Sequence, residues 1–258
     1  MNIFISIISH GHQSIIDKLQ CLEKLTNPIF IVIKSNKPGD NFESLDKKDN
    51  FHWINKDYNR GFGENNNIVY NYCRKKLKMN EADYFIVLNP DILVSQETII
   101  DLVSFMSKNK DKIATINLFK NHEFTRPDNS IRKFPTFNNF LKSLIGLKNN
   151  SIIDKSTIIN PTLIDWAAGS FLAFTSSHYR DLNGFNESYF MYCEDIDICY
   201  RSYLSGFKII YYPTLKCLHL AQHTNRNILT KHFIWHVFSA IKFLFYKNFI
   251  YKKNGHMN

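Results

Sequence analysis

Residues 84–94 read YFIVLNPDILV, an apolar, β-branched run that stops at Asn89-Pro90-Asp91 and then resumes. A run of this kind has the character of a buried strand, and the proline fixes the backbone where it ends, so the Asp91 carboxylate is carried out at a strand tip. Asn, Pro and Asp also make an ordinary turn. At the carboxyl edge of a parallel sheet the same carboxylate can hold a hard divalent cation, which neutralises a bound diphosphate. A second cluster crowds Glu194, Asp195 and Asp197 into four positions of YCEDIDICYR. Acids at a helix start complement its dipole, but in aromatic and apolar sequence a carboxylate can instead take the proton of a hydroxyl nucleophile. Just upstream, in DWAAGSFLAF, Gly169 and Ser170 permit close backbone approach, and the aromatic side chains suit either a sugar ring or the core.

The elements that must position these groups alternate. Strands are expected at Ile3–Ser9, Pro28–Lys34, Phe51–Asn55, Asp83–Leu88 and Lys112–Leu118. Helices are expected at Gln13–Lys24, Gly61–Lys78 and from a Ser95 cap to about Ser107. Such alternation implies an α/β fold with a mostly parallel central sheet flanked by helices, in which ligands sit beyond the carboxyl ends of the strands. Ser9-His10-Gly11-His12, Ser35-Asn36 and Asn89-Pro90-Asp91 all fall at those ends. Asn121–Ser130 and Asn149–Ser156 are polar and aperiodic and read as loops or lids.

With 44% hydrophobic and 15% aromatic residues in a chain of 258, there is material for one well-filled core, and disorder is not the default. The cysteines are five and scattered, with no CxxC spacing, which points to a reducing cytosol rather than a zinc site or disulfide frame. The opening residues lack the pattern of a secretory signal, and no run has the length of a membrane span. The net charge of +9 is localised: no Asp or Glu follows Asp197, while nine Lys and Arg do. That excess would attract phosphate, nucleic acid or an anionic membrane.

Taken together and in order, ISIIS at the first strand, NRGFGENNN at residues 59–67, LNPD at 88–91, WAAG at 166–169, GFNE at 184–187 and YCEDID at 192–197 with Arg201 resemble inverting glycosyltransferases of family 2. The resemblance covers most of residues 3–220, and it is strongest to rhamnosyltransferase-like members that build bacterial surface polysaccharides. It implies the Rossmann-like GT-A fold over residues 1–225, with residues 226–258 as a basic amphipathic helical extension. It also implies a nucleoside-diphosphate sugar donor, a divalent cation (Mn2+ or Mg2+) and a lipid-linked (polyprenyl diphosphate) oligosaccharide acceptor. Asn89-Pro90-Asp91 stands where the family has Asp-X-Asp, so Asp91 becomes the main metal carboxylate and Asn89 a neutral oxygen neighbour. Ser9 and Asn36 match base and ribose positions, with Asn36 in place of a frequent acid. Gly61, Phe62, Gly63 and Asn67 match the loop and helix start beside the nucleotide and sugar, and Trp166 and Gly169 match the donor-side strand. Asp195 matches the catalytic base, Glu194 an acceptor-orienting group, and Asp197 a structural partner of Arg201. His219 matches a late histidine near metal or diphosphate, with His223 a nearby competitor.

The sequence therefore leads to a cytosolic inverting hexosyltransferase of the O-antigen or capsule type, working at the inner face of the cytoplasmic membrane. In the tail, His232, His236, Ser239 and Lys242 form a narrow polar stripe on a broad apolar helix that packs on the domain or lies at a membrane surface. A noncatalytic sugar-nucleotide-binding paralogue is the alternative that Asn89 leaves open. Nucleic-acid binding is disfavoured, because no binding module accompanies the basic tail and its charges are interleaved with large apolar side chains.

Overall fold

A computed structural model of the chain describes residues 1–136, 151–220 and 231–251. Strand β1 (Ile3–Ser9) is buried along its whole length and pairs in parallel with β2 (Ile29–Ser35) and with β4 (Tyr84–Leu88), while β3 (Phe51–Ile54) continues the parallel set beyond β2. Unbroken apolar runs are what strands covered on both faces require. Phe4, Val32, Phe85 and Val87 point into the core layer on one face, and Ile5, Ile7, Ile33 and Ile86 into the layer on the other. Beyond β4 the sheet becomes mixed. Strand β10 (Phe171–Thr175) runs antiparallel between β4 and β6 (Ile113–Phe119), and β11 (Ile209–His219) lies parallel to β6. β5 (Ile92–Leu93) and β8 (Thr162–Ile164) pair antiparallel with β11, and β7 (Ile131–Arg132) with β9 (Trp166–Ala167) makes a small separate ladder.

The helical connections follow the expected plan with one break. The helix expected over Gln13–Lys24 ends as α1 (Gln13–Leu19) at left-handed Gln20 and resumes as a 3-10 turn at Leu22–Lys24. The break turns Cys21, Leu22 and Leu25 into the core. α2 (Phe62–Lys76) and α3 (Gln96–Asn109) lie where expected, and the Ser95 hydroxyl accepts from the Thr98 N–H as the cap of α3. The expected Asn149–Ser156 loop is described from Ser151 onward and contains a 3-10 turn at Lys155–Thr157. The expected features at 149–150 and 226–230, His223, and the basic residues Lys252 and Lys253 lie outside the described residues.

Two polar knots lock the region around the acidic cluster. Beyond α4 (Ser176–Asp181) the chain turns through residues 182–193 into α5 (Glu194–Leu204). Asp197, fully buried, accepts from Arg201 Nε at 2.7 Å and from the Tyr251 hydroxyl at 2.6 Å, and Arg201 also reaches the carbonyls of Leu182 and Gly184. This is the structural pairing expected of Asp197, extended to the C-terminal segment. Asn67 departs from its expected place beside the donor. Its Nδ2 donates to Phe185 O and Glu187 Oε1, both at 2.9 Å, and its Oδ1 accepts from the Tyr179 hydroxyl at 2.7 Å and the Phe185 N–H at 2.9 Å. An amide has two donor hydrogens and two acceptor lone pairs, so no capacity is left for a ligand. Asn67→Ala strands the buried Tyr179 hydroxyl and the Phe185 N–H, and should lower unfolding free energy by about 2–4 kcal/mol in urea denaturation. Wild-type stability in that variant would return Asn67 to the ligand side.

Candidate active site

The antiparallel insertion of β10 decides what meets at the sheet edge. Because Phe171 pairs with Leu88, the start of β10 lies beside the end of β4, and the Asn89 N–H donates to Ser170 O at 2.9 Å. One residue earlier, the Gly169 N–H donates to Asp195 Oδ2 at 3.1 Å. The Asn-Pro-Asp turn and the acidic cluster, about a hundred residues apart in sequence, are thus joined through two consecutive residues. A Cβ at Gly169 would stand 3.0 Å from the Phe62 ring, tighter than ordinary contact, and 3.6 Å from Asp195 Cβ, an ordinary van der Waals distance.

Asp195 is held by backbone. Its Oδ1 accepts from the Ile196 N–H at 2.8 Å, so both carboxylate oxygens have one backbone donor and retain lone pairs for a proton. Burial raises its pKa, with the Gly169 and Ile196 amides acting in the opposite direction. Glu194 has a harsher setting. Burial and then the neighbouring Asp195 charge raise its pKa to about 8, and Glu194 Oε2 is buried without a hydrogen-bond partner. The two acids therefore differ in setting, Asp195 anchored by backbone N–H groups and Glu194 pushed toward its protonated form, a difference of the kind acid–base chemistry uses.

The remaining expected donor residues shape this site more than they face it. α2 begins at Gly61, where an added Cβ would stand 2.7 Å from Phe190 O, and at Gly63 it would stand 2.7 Å from Phe185 Cβ. The Phe62 N–H donates to Phe190 O at 3.0 Å, which seats the helix start on the loop leading into Asp195. Trp166 is buried, donates its indole N–H to Lys133 O at 2.9 Å and carries the Arg132 guanidinium over its ring at 5.4 Å. Asn36 spends both amide atoms on the backbone of Arg60, and Ser9 Oγ accepts from the His12 N–H. Ser9 and Asn36 keep their expected positions at adjacent strand ends, beside a cavity of about 460 Å3 lined by Gly11, Gln13, Lys37, Gly39 and Asp40. A larger cavity of about 690 Å3 includes Asn67, Glu187, Arg201 and Tyr251 but none of Asp91, Glu194, Asp195 or His219.

Asp91 and His219 lie side by side. The pairing of β5 with β11 sets His219 opposite Ile92, and its Nε2 stands 3.4 Å from Asp91 Oδ1. Nδ1 of the same ring lies 2.6 Å from Asp128 Oδ2. Burial works against the charged imidazole, but Asp128 and Asp91 outweigh it and raise the pKa to about 9. Among the described residues no three His, Cys, Asp or Glu side chains converge as a metal cage. The donor set still fits a hard divalent cation: Asp91 Oδ1 is buried and faces only His219 Nε2, whose proton a bound cation would displace. Mg2+ and Mn2+ sites of this kind use one or two protein ligands and complete the shell with water and substrate phosphate.

Sequence reasoning missed several participants. Asp128 sits in the polar stretch 121–130, where nothing in residue type or spacing marks it. Asp40 accepts from Ser35 Oγ at 2.8 Å in the cavity at the strand ends, four residues after Asn36. Ser170 Oγ is buried and unpartnered at the β4–β10 junction, where Ser170 O takes the Asn89 N–H. Gly169 and Ser170 suit close backbone approach in the sequence, but only the sheet order reveals what approaches.

No family model matches the chain. It is 35% identical over 259 residues to the rhamnosyltransferase WbbL of Escherichia coli K12, covering 98% of this chain and 96% of that protein. A low-salt glycan biosynthesis hexosyltransferase of Haloferax volcanii, Agl10, is 25% identical over 77% of the chain and 61% of its own length. An N-acetylglucosaminyl-diphospho-decaprenol L-rhamnosyltransferase of Mycobacterium tuberculosis is 33% identical over an 81-residue stretch, 31% of this chain and 26% of that enzyme. In fold, the chain resembles GalNAc-T7 solved with UDP, GalNAc and Mn2+, with TM-score 0.68, 14% identity and coverage of 98% of this chain and 49% of that one. It also resembles Staphylococcus aureus TarS, with TM-score 0.57, 16% identity and coverage of 84% and 60%. The near full-length match and the GT-A architecture agree with the motif order, and the chain belongs to the rhamnosyltransferase-like glycosyltransferases of family 2.

Proposed function

We propose that this enzyme transfers a hexose or deoxyhexose, with rhamnose the first candidate, from a nucleoside diphosphate to a lipid-linked oligosaccharide during surface-polysaccharide synthesis. The names of the bacterial relatives support the sugar and the lipid-diphosphate acceptor. The observation that carries the chemistry is Asp195, a carboxylate fixed by two backbone N–H groups beside the turn that bears Asp91. An acceptor hydroxyl attacks the anomeric carbon and gives its proton to Asp195, while the bond to the diphosphate oxygen breaks and its electrons leave with the nucleotide. One displacement inverts the anomeric centre. Glu194, protonated and with an unpartnered oxygen, offers a hydrogen bond that orients the acceptor sugar. Asp91 and His219, with Asn89 adjacent, would hold Mn2+ or Mg2+, which when bound neutralises charge on the departing diphosphate.

Asp195→Asn keeps size and most hydrogen bonding but cannot take the proton. Transfer from dTDP-rhamnose and UDP-sugars to a lipid-diphosphate acceptor should fall roughly 10²- to 10⁴-fold in kcat, with donor affinity by calorimetry little changed. Near wild-type turnover in a folded Asn variant would remove Asp195 as the base.

Glu194 yields a stability test. Its pKa rises on folding from the ordinary 4.5 to about 8, so the folded state holds this proton more tightly than the unfolded chain. Its contribution is therefore full below 4.5 and is lost as pH rises through about 8. Urea unfolding at pH 5 and pH 8 should show a decline in the wild type that Glu194→Gln flattens. Parallel declines in the two proteins would mean that Glu194 ionises freely.

We further propose peripheral membrane contact through α6 (Lys231–Phe245) and the helical turns that continue it to Ile250. The helix carries apolar side chains on both faces. Its inner face buries Ala240 and Phe243 beside polar contacts to the catalytic domain, Ser239 donating to Met191 O, Lys242 to Ser188 O and His236 packing on Tyr192. Ile234, Phe238, Ile241, Phe245 and Phe249, spaced by three and four, are 52–68% exposed. A bilayer interface suits such a stripe when the surrounding sequence is acid-free and basic. No helix among the described residues is long and apolar enough to cross a membrane. Flotation with phosphatidylglycerol-containing vesicles should recover the wild type and lose Phe238→Glu/Ile241→Glu. Unchanged flotation of that variant, or a dimer in sedimentation that the same substitutions abolish, would assign the stripe elsewhere.

A further inference from the structure

The metal reading leaves Asp128 without a task, although it makes a 2.6 Å contact with the ring of His219. Three segments distant in sequence meet here: Asp91 after β4, Asp128 in the excursion after β6, and His219 at the end of β11. The excursion is tied down at its base. The Asp128 N–H donates to Leu118 O at 2.8 Å, the Lys120 N–H to Arg126 O at 2.8 Å, and Phe119 bridges to Pro127. Lys120 stands 3.7 Å from the second oxygen of Asp128, and Lys155, buried and hydrogen-bonded to Ser130, adds positive charge nearby. The carboxylate is therefore fixed from its backbone and from behind before the imidazole reaches it. With Oδ2 on Nδ1, the ring cannot turn its other nitrogen away from Asp91 without giving up that hydrogen bond.

We infer that Asp128 is a positioning residue for metal binding: it holds the proton on Nδ1 of His219 and aims Nε2 at the cation carried by Asp91. A carboxylate on the far nitrogen of a metal-bound histidine fixes ring orientation and strengthens the ligand, and its loss typically costs about 10- to 100-fold in metal affinity. The inference rests on the proposed cation site at Asp91 and His219, and its test reads that site separately.

Free Mn2+ is counted by electron paramagnetic resonance during titration of the full chain, alone and with UDP or dTDP. Wild type, Asp91→Ala, His219→Ala, Asp128→Asn and the Asp128→Asn/His219→Ala double variant are compared. Asp128→Asn should weaken Mn2+ binding about 10- to 100-fold, and in the His219→Ala background it should change affinity less than about twofold, because coupled partners are non-additive. Asp128→Glu, which keeps the charge but moves the oxygen, should also weaken binding at an unchanged thermal midpoint, and serves if the Asn variant is unstable. An Asp128→Asn affinity within about twofold of wild type, or an equal loss with and without His219, overturns the inference while leaving the cation site standing. No saturable Mn2+ binding by wild type, or full binding by Asp91→Ala, overturns the cation site itself and the inference with it.

Discussion

The site depends on one antiparallel strand inside an otherwise parallel run. With β10 lodged between β4 and β6, a strand that begins at the sheet edge lies beside one that ends there. Residues 166–170 are thereby delivered to the edge where Asn89-Pro90-Asp91 emerges, and the single N–H of Gly169 can reach Asp195. A parallel strand in that place would send its start to the far edge and leave the carboxylate of α5 without its anchor. The meeting of the Asn-Pro-Asp turn with the acidic cluster is thus a consequence of strand direction.

The same geometry explains why the acids can be both close and distinct. Asp195 meets two backbone donors, whereas Glu194 meets burial and its neighbour's charge. Three acids in the first turn of α5 would ordinarily be a favourable match to the helix dipole. Burial overrides that for Glu194, while Asp197 is neutralised by Arg201 one turn on. One short helix start therefore holds an anchored carboxylate, a raised-pKa carboxyl and a structural ion pair.

Much of this was legible because it is local. The apolar runs of β1, β2 and β4, the Ser95 cap and the i,i+4 pairing of Asp197 with Arg201 are set by neighbours in sequence. Motif order makes Asp91, Asp195 and His219 site candidates, and it carries information on distant contacts that composition does not. Asn67 shows the limit: it lies in the expected helix start, yet its amide serves Tyr179, Phe185 and Glu187 more than a hundred residues away. Asp128 shows the same limit from the other side, since an aspartate in a polar loop looks like any solvated loop residue until β11 brings a histidine beside it.

The C-terminal helix matters to the site because it supports two consecutive left-handed residues just before the acidic cluster. Tyr192 and Cys193, immediately before Glu194, both adopt left-handed conformations at φ 69° and 66°. Non-glycine residues in that region persist only where surrounding structure over-determines them, at a cost of order 1–3 kcal/mol each. Here the support comes from α6: Ser239 holds Met191 O, His236 packs on Tyr192 at 5.4 Å, and Trp235 packs on Phe190 at 4.8 Å. The inner face of the helix joins Ser239 and His236 to buried Ala240 and Phe243, while Ile234, Phe238, Ile241 and Phe245 point outward. An outer face of that kind is poorly suited to water and suited to a lipid interface. The same helix thus carries both the contacts that hold the turn before Asp195 and the exposed apolar stripe.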